Sequence, residues 1–140
     1  MKNARINPVA KSVFLCDAVI IDEHSGKPSI VGLFNSLPLE FLPNSLSIIE
    51  EFCVFFDFVG GVAESIIRVE ICDPRSDTVV FRTADRVVRF SGRHTTVAVN
   101  FRLKDIAIPD PGDYIIEVYC NNEFVDDRLL RITALKEGGS

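Results

Sequence analysis

The sequence has no tryptophan, one methionine and two histidines. His24 and His94 alone furnish no histidine-rich metal centre. The four cysteines, at positions 16, 53, 72 and 120, contain no C-x-x-C pair, so no zinc-site spacing is present. There is no G-x-S-x-G elbow for a nucleophilic serine. Gly60-Gly61 is not followed by the Lys-Ser/Thr of a phosphate-cradling loop. No apolar run approaches the roughly 18 residues that cross a bilayer as a helix. The apolar stretch 13–21 is broken by Asp17 and lacks a small-residue cleavage site, so it reads poorly as a signal peptide. These absences exclude the common catalytic signatures. They leave the expectation of a protein that is not an enzyme, carries no cofactor and no metal, and contacts no membrane.

What remains is one domain's worth of chain. At 140 residues it should bury about two-thirds of its extended surface, enough for a core without staples. Hydrophobic residues make up 47% and charged residues 25%, which excludes wholesale disorder. Mean hydropathy is +0.22, high for a small protein, and eleven residues are phenylalanine. That surplus of apolar material points to a second buried surface, such as the interface of a homodimer.

Net charge is −5, which excludes a uniformly basic nucleic-acid binder. The charge is uneven: residues 82–104 hold six bases and one acid, whereas residues 12–81 hold eleven acids and three bases. A basic island in an acidic chain is the main electrostatic feature.

Hydrophobic alternation at period two recurs along the chain, and no long amphipathic helical pattern interrupts it. Residues 64–72 place Ser65, Ile67, Val69 and Ile71 on one face and Glu64, Arg68 and Glu70 on the other. Residues 94–104 place Val97, Val99, Phe101 and Leu103 inward. Residues 51–59 are apolar on both faces. Turn signals separate the runs: Gly26, Gly60-Gly61, Asp73-Pro74, Pro109-Asp-Pro-Gly112 and Asn121-Asn122. The stretch holding Pro38 and Pro43 reads as irregular, and residues 83–93 fit helix, strand or loop. The expected fold is all-β: an antiparallel, immunoglobulin-like β-sandwich of about eight strands. Residues 12–135 form the single domain, between a flexible arm (1–11) and a flexible tail (136–140). Tyr114, entering a late strand just after Gly112, fits the tyrosine corner of such sandwiches.

Three elements carry a resemblance: the opening Cys16-Asp17-Ala18 hairpin, the Gly32-Leu33-Phe34 strand and the closing Pro111-Gly112-Asp113-Tyr114 hairpin. The chain resembles, over most of residues 12–134, an uncharacterised family of small bacterial β-rich domains catalogued only as a domain of unknown function. The resemblance implies a bacterial origin and a compact β-domain. It supplies no activity and no site residue.

Candidate sites follow from residue chemistry. Arginine clusters suit carboxylates and phosphates through their planar fork of donors. Arg82, Arg86, Arg89, Arg93 and His94 therefore form a candidate partner-binding surface, read as solvated. Asp17, within an apolar strand, reads as a buried carboxylate bonded to backbone N–H groups or an arginine. Phe55 lies on the second face of the 52–58 strand. That face is covered by the chain itself, or Phe55 packs on a second copy. The scattered loop acids show no calcium-loop pattern. The cysteines, each inside an apolar strand, read as buried thiols, and with no export signal they favour the cytoplasm. Two readings stand. In the first, the domain is a non-catalytic cytoplasmic interaction module, docking a protein partner through the arginines, an edge strand or an apolar sheet face. In the second, it binds a small ligand or metal, or is an enzyme, with its site in the loops at one end of the sandwich.

Overall fold

A computed structural model describes residues 9–60, 63–92 and 95–135. The fold is an immunoglobulin-like β-sandwich. Among the described residues ten strands form two sheets: β1 (Val9–Ile21), β2 (Pro28–Phe34), β3 (Ser36–Leu39), β4 (Ser47–Val59), β5 (Ala63–Asp73), β6 (Thr78–Arg82), β7 (Arg86–Phe90), β8 (Thr96–Ile108), β9 (Gly112–Cys120) and β10 (Glu123–Ala134). The first sheet runs β2-β1-β4-β8. The second runs β3-β10-β9-β5, and β6 and β7 share the outer flank of β5. Every pairing is antiparallel except β3 with β10. No helix among the described residues is long and apolar enough to cross a membrane.

The strand count exceeds the expected eight for two physical reasons. Pro38 makes 36–39 read as irregular, yet β3 is an edge strand, where a missing N–H costs no ladder bond. Residues 86–90 form β7, a strand too short for its alternation to stand out. β1 begins at Val9, inside the segment expected to be a flexible arm. The rest of that arm and the tail lie outside the described residues.

Period-two alternation builds the core. Phe52, Val54, Phe56 and Phe58 of β4 are fully buried, as are Ile67, Val69 and Ile71 of β5 and Ile116 and Val118 of β9. Each such side chain contributes about 1.5–3 kcal/mol relative to exposure. Phe56 meets Phe58 edge-on at 5.0 Å and stacks on Phe101 at 6.1 Å. The tyrosine corner is present: Tyr114 is fully buried, and its hydroxyl donates to the Asp110 carbonyl at 2.6 Å. Arg75 closes the corner from outside, donating to the Pro111 carbonyl at 2.9 Å while Asp73 holds its guanidinium.

One irregularity opens the first sheet. In β4, Phe52 and Ile49 are both buried while Glu50 and Glu51 between them are exposed. In β8, Leu103 and Ile106 are both buried around Lys104 and Asp105, and Asp105 has φ of +54°. Both strands therefore switch faces at the same level, with their register intact across it. The pairing of β1 with β4 ends at Cys16–Cys53, just before the switch. Beyond it, β1 pairs with β2 alone and β4 with β8 alone.

Candidate docking surface

The sandwich leaves one long side between β6–β7 of the second sheet and β8 of the first. β7 decides how the arginines are arranged there. Val88 and Phe90 point inward and are buried, so Arg86 shares their register and Arg89 points to the opposite face. Arg86 reaches across the side of the sandwich. Its guanidinium lies 4.1 Å from the Phe101 ring centroid, and its Nη1 donates to the Asn100 carbonyl on β8 at 2.6 Å. Arg86 is exposed, as the solvated reading has it, and it also ties one sheet to the other. Arg89 turns away and pairs with Glu64 across the β5–β7 ladder.

Arg82 ends β6. Its Nε donates to Glu70 Oε2 at 3.1 Å, and its side chain stays 60% exposed. Arg102 comes from β8 and lies 3.4 Å from Glu51. Arg82, Arg86 and Arg102 line one cleft of about 370 Å³ with Phe81, Phe101 and Asp85. The lining holds three cations and one acid, and the acids that pair with Arg82 and Arg102, Glu70 and Glu51, are each shared with a further cation, Arg68 and Lys104. Each guanidinium has five N–H donors and spends only some on the contacts above, so donors remain for an incoming carboxylate. Of the expected surface, the structure brings Arg82 and Arg86 together and separates Arg89. Arg93 and His94 lie outside the described residues.

Other expectations are also revised. Phe55 is only 4% exposed, with Phe14 and Asn100 as its cross-strand neighbours, so its own chain covers it and it presents no interface. Asp17 is exposed, not buried, because it sits where β1 has left β4. Among the described loop acids, Asp113 pairs with Arg131 and Asp22 accepts the Ser25 N–H, so neither is aimed at a common ion. All four cysteines are thiols. Cys16 and Cys53 are direct cross-strand partners, a juxtaposition their sequence spacing hides. Burial, chiefly, pushes the Cys16 thiol up to about 11.

Sequence reasoning missed a polar cluster on the outer face of the second sheet. Glu70 alternates outward as expected but is only 3% exposed. Arg68, at 2.7 Å, and Arg82 neutralise it. Next to it, the Cys72 thiol donates to Glu117 Oε1 at 3.0 Å, and the Tyr119 hydroxyl donates to the same oxygen at 2.9 Å. Burial, then the Glu117 contact, push both Cys72 and Tyr119 up to about 12. Oxygen and sulfur atoms of Glu70, Cys72 and Glu117 lie within 4.8 Å of one another, the spacing of a metal site. The charge here is already balanced by two guanidinium groups, and the thiol holds its proton as a donor. The arrangement is a hydrogen-bonded cluster that permits two carboxylates to share a sheet face. Only the cross-strand register Glu70–Glu117 could have revealed it, and register is not readable from one strand's pattern.

Comparison with known proteins agrees with the fold. The alkylpurine DNA glycosylase AlkC of Pseudomonas fluorescens, solved on DNA containing an abasic-site analogue, is 9% identical over 91% of this chain, with a TM-score of 0.51. This chain spans 30% of that protein's length. A β-glucosidase from Listeria innocua, solved with isofagomine, is 14% identical and covers 93% of this chain and 16% of its own, at a TM-score of 0.48. An immunoglobulin-like protein from Pseudomonas aeruginosa is 6% identical and covers 93% of this chain and 99% of its own, at a TM-score of 0.38. The first likeness shows the fold alone; the other two are too distant to carry an argument. No curated protein sequence matches the chain. A family of unknown function, DUF6941, matches residues 11–133.

Proposed function

We propose that this chain, which belongs to the family DUF6941, is a non-catalytic interaction module of the bacterial cytoplasm that docks an acidic segment of a partner protein. One observation carries the reading: Arg82, Arg86 and Arg102, from three different strands, converge on one cleft. Two features support it further. The cleft lies between the outer flanks of β6–β7 and β8, so an extended segment there meets strand edges as well as charge. Phe81 and Phe101 in its walls offer apolar contact beside the guanidinium groups. Four unbridged thiols fit a reducing compartment.

The test is affinity capture from the source organism's lysate. Wild type is run beside the double variant Arg82→Gln, Arg102→Gln, which removes two charges and leaves Arg86 in its stitching role. An acidic protein retained by wild type, released by salt and lost by a variant that still folds cooperatively is the expected result; because Arg82 also pairs with the buried Glu70, Arg102→Gln alone is run beside it and should weaken retention in the same direction. Equal retention by the variant refutes the cleft as the docking surface.

A further inference from the structure

The opening in the first sheet is lined by acids, whereas the cleft beside β8 is lined by arginines. Beyond Cys16–Cys53, the 18–21 stretch of β1 has β2 on one side and no registered partner on the other. The 47–51 stretch of β4 has β8 on one side and likewise none on the other. Two strand flanks thus face a gap at the end of the sandwich. An unpaired strand flank is a ready template for another strand.

The gap has a floor and a rim. A cavity of about 340 Å³ opens there, with Phe34, Leu37, Leu39 and Ile49 among its walls and the fully buried Phe52 at its base. Ile48, also in its lining, is 40% exposed. Asp17 and Glu50 stand at the rim. Both are exposed, and neither has an ion-pair partner in the described residues, whereas Glu51 beside them is shared by Arg102 and Lys104. Two uncompensated carboxylates over an apolar floor define what fits.

We infer that this gap binds an extended partner segment whose apolar side chains enter the cavity and whose lysine or arginine side chains meet Asp17 and Glu50, the segment's backbone adding as a strand beside β4. Backbone pairing supplies affinity without regard to sequence, and the pocket and the two acids supply selectivity. The two linings have no residue in common, and the Arg102–Glu51 pair is the charged contact that runs between them.

The probe is a fluorescein-labelled decapeptide of alternating valine and lysine, with its valine–glutamate counterpart as control. Anisotropy titration should show wild type binding the lysine peptide and not the glutamate peptide. The double variant Asp17→Asn, Glu50→Gln, both exposed positions, should lose roughly tenfold or more in affinity. Arg82→Gln, which leaves the Arg102–Glu51 pair beside the gap intact, should bind as wild type does, which separates this inference from the arginine-cleft reading. Amide hydrogen exchange with bound peptide should add protection at 47–51. Equal binding by the rim variant, or protection that appears elsewhere, overturns the proposal. Protection of 47–51 that grows with protein concentration and without peptide overturns it too, because a second copy is then the occupant.

Discussion

At Asp17 the inward register of β1 continues although the strand it faced has gone. Leu15 is buried, and two residues on, the same register carries a carboxylate into solvent at the mouth of a gap. Opposite it, Gly32 adopts φ of +69°, and a Cβ placed there would lie 2.1 Å from Asp17 Oδ2. Gly32→Ala therefore incurs both backbone strain and a clash, and should cost about 1–3 kcal/mol in urea denaturation. In an Asp17→Ala background the carboxylate contacts are gone and only the Cβ at 3.0 Å and the backbone strain remain, so the cost should shrink. Identical costs in both backgrounds would show that the carboxylate does not constrain Gly32. Asp17 is conspicuous in the sequence as an acid among apolar residues, but its exposure is not readable there. Periodicity reports which face a residue takes, not whether a neighbouring strand is still present to cover it. The same limit hid Glu70, whose outward position is legible and whose burial depends on arginines from its own strand and from β6.

Among the elements, the long strands were legible because their alternation persists over many residues: β5 buries all the positions expected of it, and β8 buries Val99, Phe101 and Leu103 and half-buries Val97. β3 and β7 were not, each being too short to establish a period. That cost matters most at β7, since the conformation of 86–90 sets where two arginines go. The strand places Arg86 over Phe101 and against the Asn100 carbonyl, and Arg89 on the opposite face. Two predictions of different size follow for residues only three apart. Arg86→Ala removes a charged hydrogen bond and a ring contact between the sheets, and should lower stability by about 1 kcal/mol or more. Arg89→Ala removes one exposed ion pair and should change stability by about 0.5 kcal/mol or less. Thermal melts of the two single variants decide this; equal effects would mean that Arg86 does not bridge the sheets.

Over the whole molecule, ionisable groups bound stability on both sides of neutrality, and the signs can be worked out. Hydrogen bonds from Arg75 hold the Asp73 carboxyl below its ordinary value, and Arg131 does the same for Asp113. Backbone N–H groups, Ser25 first, depress Asp22. A depressed carboxyl contributes stability that is present above its unfolded value of about 3.9 and is lost as pH falls through the folded one. The acid limb therefore lies below about pH 4. The alkaline limb has a different source. Cys16 is raised to about 11, and Cys72 and Tyr119 to about 12, by burial first and then by neighbouring thiol or carboxylate groups. Unfolded, a thiol releases its proton near about 8.5 and a tyrosine near about 10. Between those values and the folded ones the native state holds more protons than the unfolded state, so stability falls as pH rises. Denaturation midpoints measured from pH 3 to 11 should thus trace a plateau that drops on both sides, steeply above about pH 9. Cys72→Ala should flatten the alkaline drop and leave the acid limb unchanged, because Cys72 and Tyr119 lean on Glu117 while Asp73 and Asp113 lean on arginines elsewhere. An alkaline limb unaltered by that substitution would mean that the Cys72–Glu117 contact contributes nothing to the proton balance between the folded and unfolded chain.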